Sequence, residues 1–207
     1  MLPDVPVFEG LSFREPENVA LLRDLTPDYL ISVHFPYIIP SDILSIPTEG
    51  SLNLHPAFLP YNRGWHTPSW AIFEDTPYGA TLHWMDEGVD TGDIALQEKL
   101  EVLPSDTADT LYQRVLQLEE ELFRRAIPLI KQRALPRHRQ PGSGTTHFKD
   151  DLKRIQELDL DSEVRVGDLI RRLRALTTNR WDEAAVYEVN GQRYRIRVEI
   201  MAEEDVL

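Results

Sequence analysis

Hydrophobic positions along this chain switch between a helical and a strand period. Residues 17–25, ENVALLRDL, carry apolar side chains at helical spacing and predict a short amphipathic helix, ended by Thr26 and Pro27. The run YLISVHF (29–35) is apolar and rich in strand formers, as in a buried strand. SDILSI (41–46), held between Pro40 and Pro47, predicts one or two helical turns, and GSLNLH (50–55) the next strand. The loop PAFLPYNRGWHTP (56–68) has too many breakers for regular structure. SWAIFED (69–75) reads as a helix, and YGATLHWM (78–85) and DIALQEKLEV (93–102) as strands flanking the loop DEGVDTG. Ser105 or Asp106 is placed to cap a long helix reaching about residue 132, with Leu111, Val115, Leu118, Leu122 and Ile130 on its apolar side. Strand, helix and strand alternate, which predicts an α/β sheet, partly parallel.

Beyond that helix the character changes. ALPRHRQPGSGTT (134–146) is a linker by composition. Helices are predicted near 149–157 and 166–176, and AAVYEV–NG–QRYRIRVEI closes the chain with a strong hairpin signal at Asn190-Gly191. The division is a first domain over 1–132, a linker over 133–148 and a helix-and-hairpin module over 149–207.

At 207 residues the chain is long enough for a substantial core. It has no cysteine, which removes disulfides, thiolate metal sites and cysteine nucleophiles. No apolar run approaches the roughly 20 residues that span a bilayer, and the start lacks a secretory pattern, so a cytoplasmic location without membrane contact is expected. Charge is uneven: residues 1–130 hold 7 Lys+Arg against 21 Asp+Glu, and residues 131–207 hold 15 against 14. A first part at −14 repels phosphate backbones, so extended nucleic-acid binding is disfavoured.

Chemistry-bearing residues gather in loops at strand ends. Asn53 and His55, two apart in a strand, face the same side, and Asp90 lies in the glycine-flanked turn EGVDTG. An imidazole beside a carboxylate is an acid–base pair, and an amide N–H suits a developing oxyanion. Alone, N-x-H more often marks strand-end capping around a core histidine. Asp90-Thr91-Gly92 resembles an aspartic-protease triplet, but that dyad needs two lobes or a symmetric dimer, and this single copy, followed by Asp93 in an α/β pattern, disfavours it. His34, His55, His66 and His83 have no metal-ligand spacing, and no glycine-rich phosphate loop occurs, so no metal is expected. Arg171, Arg172, Arg174, Arg193, Arg195 and Arg197 read as a solvated face paired with nearby acids, with a phosphate contact or subunit interface as the functional alternative. Trp70, Trp84 and Trp181 are expected in the core, while Tyr61 and Trp65 lie in the irregular loop, where they could stack on a substrate ring.

Taken together, SLNLHPAFLPYNRG and YGATLHWMDEGVDTGDIALQ strongly resemble the formyltransferase family that uses 10-formyltetrahydrofolate, over about residues 26–130. The resemblance implies a Rossmann-like sheet, here shortened at its N-terminus because the usual opening β-α-β unit is not seen, which leaves an exposed sheet edge or one covered by another chain. It assigns the catalytic residues to Asn53, His55 and Asp90. It assigns the folate pocket to Phe35, Tyr37, Ile38, Ile39 and His83 with the loop Asp86, Glu87, Gly88, Val89 and Asp90 opposite. In that chemistry an amine attacks the formyl carbon. Asn53 and a protonated His55 stabilise the oxyanion, while Asp90 orients the imidazole, raises its pKa and accepts the amine's proton.

The C-terminal module looks like the tails of sugar N-formyltransferases. By that likeness the acceptor is a nucleotide-linked amino sugar for lipopolysaccharide O-antigen or a similar glycan, the chain forms a homodimer, and Tyr61, Asn62 and Arg63 lie on the acceptor side. The alternatives are a methionyl-tRNA formyltransferase-like enzyme, disfavoured by charge and by the short tail, and a non-catalytic folate-binding remnant.

Overall fold

The segments patterned as strands lie side by side in the computed structural model, which describes residues 5–205. In chain order the first elements are α1 (Pro16–Leu25), β1 (Tyr29–Val33), α2 (Ser41–Leu44), β2 (Gly50–His55), β3 (Arg63–Gly64), α3 (Thr67–Glu74) and β4 (Tyr78–Trp84). They are followed by β5 (Ile94–Leu100), α4 (Ala108–Lys131), β6 (Thr146–His147), α5 (Val166–Ala175), β7 (Ala185–Val189) and β8 (Gln192–Ile196). The main sheet has the order β1-β2-β4-β5, with β1 and β2 parallel and the other pairs antiparallel. Among the described residues no strand pairs with the outer side of β1. This is a mixed α/β fold with a separate C-terminal hairpin.

Strand alternation divides the interior into two cores. Tyr29 and Ile31 of β1, Leu52 and Leu54 of β2, and Ala80, Leu82 and Trp84 of β4 join Leu111, Val115 and Leu122 of α4 in the larger one. Leu30 points the other way, into a smaller core with Leu22 of α1, Ile43 of α2 and Phe13. Helices therefore cover both faces, and the alternate positions of β2, Asn53 and His55, are left for the face away from α4.

The long helix is capped by Thr107, one residue after Asp106 and two after Ser105. Thr107 accepts from the Thr110 N–H, and Thr110 Oγ1 accepts from the Thr107 N–H in return. Asp106 is instead consumed by the Leu103 N–H and by Arg114. Near 149–157 only a 3₁₀ turn forms, Asp151–Ile155, because Gln156 and Leu158 give their backbone groups to Val186 of β7. Trp70 and Trp84 are buried, but Trp181 is 58% exposed, beneath the Arg197 guanidinium. The arginines do more than pair with acids. Arg172 donates to the carbonyls of Ile155 and Glu157, Arg174 to those of Asp106 and Leu103, and Arg195 to those of Asp182 and Ala184.

The linker is docked rather than free. Trp84 Nε1–H donates to the Pro136 carbonyl and Arg137 stacks 3.5 Å above the Trp84 ring. His138 and Ile94 exchange both backbone hydrogen bonds, and β6 pairs with β3. At Gly144 an added Cβ would sit 1.8 Å from the Pro60 carbonyl oxygen. Gly144→Ala is expected to destabilise the protein by about 1–3 kcal/mol in urea unfolding. Gly167→Ala, with nothing within 4 Å on the surface of α5, is expected to be neutral or mildly stabilising. Equal stability of the two variants would show that the segment is an undocked linker.

Candidate active site

At the end of β2, register does the assembling. Asn53 pairs across the sheet with His83, and His55 with Thr81, so these four side chains share one face. Asp90 arrives from the loop after β4 with φ of 53°, a left-handed conformation that aspartate tolerates. Its Oδ1 accepts from Asn53 Nδ2 at 3.1 Å and lies 3.3 Å from His83 Nε2. Its Oδ2 accepts from the Gly64 N–H at 2.9 Å and lies 3.5 Å from His55 Nε2. Asn53 Nδ2 also meets His83 Nε2 at 3.2 Å, while His83 Nδ1–H donates to the Trp84 carbonyl.

Burial, the largest influence on His55, pushes its imidazole below the ordinary 6.5, and the Asp90 charge acting upward does not overcome it. Asp90 does act upward as expected, but burial outweighs it, so the expected protonated His55 is corrected to a neutral one. His55 faces two groups that only accept, the Asn62 carbonyl at 3.2 Å and the Asp90 carboxylate, so its neutral form carries the proton on Nε2. For Asp90, burial acts upward, but His55, His83 and the Gly64 N–H prevail and hold the carboxyl well below the usual carboxylate range. At neutral pH the arrangement is a carboxylate beside a neutral imidazole, which can take up a proton.

These groups line a cleft of about 580 Å³. One wall holds Phe35, Pro36, Tyr37, Ile38 and Ile39 and, opposite, Met85, Asp86, Glu87, Gly88 and Val89, so every residue assigned to the folate pocket borders it. Ile38 is 72% exposed and Tyr37 42%, an uncovered apolar surface that suits a flat heterocycle. The other wall combines Gly64, Trp65, His66 and Thr67 with Ala108, Asp109 and Tyr112 of α4 and with Thr178, Asn179, Arg180 and Glu183 of the C-terminal module. The structure does not bring Tyr61, Asn62 and Arg63 to the cleft. Asn62 is fully buried against Thr76, and Arg63 is held by Gln140. Trp65 does border it.

Two functional positions escaped the sequence reading. Gln140, inside the linker, donates to the carbonyls of Asp90 and Gly92, both at 2.8 Å, and so fixes the loop that presents the carboxylate. Nothing in the pattern signals it. Glu119 is buried on the apolar stripe of α4, four residues after Val115, and a charge at that position is a readable signal. Among the described residues no group of three His, Cys, Asp or Glu side chains is placed to hold a metal ion, and no helix is long and apolar enough to cross a membrane.

Residues 6–127 match the formyl transferase family, and residues 151–202 match the N-formyltransferase dimerization C-terminal domain. A methionyl-tRNA formyltransferase of Pelotomaculum thermopropionicum is 32% identical over 203 residues, covering 98% of this chain and 63% of that protein. The chain thus spans less than two thirds of that relative's length. A sugar N-formyltransferase from Shewanella sp FDAARGOS_354 superposes with a TM-score of 0.83 at 27% identity, over 91% of this chain and 76% of that one. The formyltransferase PseJ of Anoxybacillus kamchatkensis, solved with UDP-4,6-dideoxy-4-formamido-L-AltNAc and tetrahydrofolate, gives a TM-score of 0.61 at 34% identity, over 70% and 77%.

Two measurements check this geometry. By NMR titration His55 is expected to titrate below 6.5, and further below it in Asp90→Asn, which removes the larger of the two carboxylate charges, Asp90 and Glu119, that favour the proton. A midpoint above 6.5 would refute the burial argument. Gln140→Leu is expected to displace Asp90 and so lower the His55 midpoint further, with the fold retained by circular dichroism.

Proposed function

This chain belongs to the formyltransferase family, and from that premise we propose that it transfers the formyl group of 10-formyltetrahydrofolate to the amine of a nucleotide-linked amino sugar. The observation that carries the reading is the meeting of Asn53, His55 and Asp90 within 3.5 Å at the floor of a cleft with one apolar and one polar wall. Bound in the cleft, the folate supplies an activated formyl carbon. Phe35 to Ile39 and Met85 to Val89 hold the heterocycle between them. Asn53 Nδ2, released from His83, donates to the formyl oxygen, while the neutral His55 beside ionised Asp90 takes the proton from the attacking amine and hands it to the folate nitrogen as the bond from that nitrogen to the formyl carbon breaks, which releases tetrahydrofolate. Apolar burial keeps water from the carbon.

The acceptor side is the wall from Gly64 to Thr67 together with Thr178 to Glu183. A sugar nucleotide is favoured by the match of the C-terminal module to the N-formyltransferase dimerization domain and by the likeness to enzymes such as PseJ. The same module makes a homodimer the proposed assembly. An O-antigen or related glycan precursor is the corresponding product class. Methionyl-tRNA is the second reading, favoured by the 32% identity to a methionyl-tRNA formyltransferase along nearly the whole chain. A charge of −14 over residues 1–130 weighs against a polyanionic acceptor.

The test is mass-spectrometric detection of formyl gain. The panel is UDP-4-amino-4,6-dideoxy-L-AltNAc, dTDP-3-aminofucose, methionyl-tRNA and glycinamide ribonucleotide, each with 10-formyltetrahydrofolate. Gain on a sugar nucleotide, cut about 10²–10³-fold in His55→Ala, is the expected result. Gain on methionyl-tRNA alone selects the second reading, and no gain on any amine overturns both.

A further inference from the structure

A buried charge stands on the apolar stripe of α4, outside the cluster around Asp90. Glu119 is 2% exposed, its Oε2 lies 2.7 Å from His34 Nε2, and its Oε1 has no hydrogen-bond partner among the described residues. His34 Nδ1 in turn lies 2.8 Å from the Tyr112 hydroxyl, and the two rings meet edge-on at 5.9 Å. His34 and Tyr112 both border the cleft, and Glu119 stands behind them. Burying such a pair costs desolvation that a leucine at the same place would avoid. His34 also leaves β1 with φ of 48°, a conformation unfavourable for histidine that turns its ring to α4. Both features are costs unless the polar chain they create is used.

We propose that the Tyr112 hydroxyl hydrogen-bonds an oxygen of the formyl acceptor beside its amine, and that His34 and Glu119 are positioning residues that aim it. The inference rests on the transferase reading above. A carboxylate only accepts, so Glu119 fixes the His34 proton on Nε2 and orients the ring. The hydrogen bond that His34 donates to Glu119 holds the imidazole above its ordinary range against the downward pull of burial. When His34 is protonated, it donates through Nδ1–H to the Tyr112 oxygen, which frees the phenol hydrogen to point into the cleft. Burial, with Glu119 nearby, also raises the Tyr112 phenol, so it keeps that hydrogen. Location selects the acceptor over the folate. Tyr112 rises from the first turns of α4 beside Asp109, whose backbone N–H is bound to the Thr177 carbonyl of the C-terminal module. The same module also contributes Thr178, Asn179, Arg180 and Glu183 to the cleft lining.

Steady-state kinetics on the best acceptor of the panel above test the proposal. Tyr112→Phe is expected to raise the acceptor KM about tenfold, the worth of one hydrogen bond, with a smaller fall in kcat and no loss of tetrahydrofolate affinity by calorimetry. Glu119→Gln is expected to raise the acceptor KM as well. In the double variant it should add nothing to Tyr112→Phe, because its effect runs through that hydroxyl. Should Glu119→Gln fail to fold, His34→Gln takes its place in the cycle. An unchanged acceptor KM in Tyr112→Phe, or a matching loss of folate affinity, would overturn the role of Tyr112. Additive effects would reduce Glu119 and His34 to a structural pair. A wild-type protein that formylates no amine would fail at the earlier reading, and this inference falls with it.

Discussion

A buried carboxylate has to be satisfied, and around Asp90 that requirement gathers distant parts of the chain. Asn53 comes from β2, His83 from β4, the Gly64 N–H from β3 and Gln140 from the segment after α4. Each is a hydrogen-bond donor, a potential cation or a clamp on the loop itself. Without them the charge would be expelled from the interior or neutralised by a proton. The left-handed backbone at Asp90 is held by the same partners, since Gln140 ties the carbonyls on either side of Thr91. The reactive geometry is thus a by-product of satisfying one charge.

The consequences reach His55. Its ring is buried by the same packing that orders Asp90, and burial outweighs the neighbouring charge. The result is division of labour within one pair: the carboxylate bears the charge and the imidazole stays neutral. Alternation along β2 keeps this arrangement rigid. Leu52 and Leu54 are anchored in the core against α4, so the intervening Asn53 and His55 have little freedom to drift.

Much of this was legible in the residues. Period-2 and period-3.6 patterns located the four main strands and the long helix, and Asn190-Gly191 located the hairpin. The joint pattern of Asn53, His55 and the Asp90 loop exposed the family where spacing alone did not. Long-range contacts stayed hidden. Composition made residues 133–148 a linker, but could not show β6 paired with β3, Gly144 pressed on Pro60 or Gln140 clamping Asp90. The sign of the His55 shift was also out of reach, because it depends on burial rather than on the neighbour that proximity suggested. Trp181 was placed in the core by residue type, whereas an arginine stacked on its face lets it remain at the surface.

The same reasoning explains why the donor is easier to infer than the acceptor. At the formyl carbon every primary amine presents the same problem: one proton to remove and one oxygen to stabilise. The cluster on β2 and the Asp90 loop addresses that problem whatever lies behind the amine. What lies behind it meets a different surface, assembled from Gly64 to Thr67, the first turns of α4 and residues 178–183. Those three segments are far apart in the chain and are joined only by folding, through contacts such as Asp109 to Thr177 and β3 to β6. Under the proposed transfer, acceptor choice follows from the way the C-terminal module docks on the main sheet. The docked segment 133–148 makes that docking and the position of Asp90 parts of one structure.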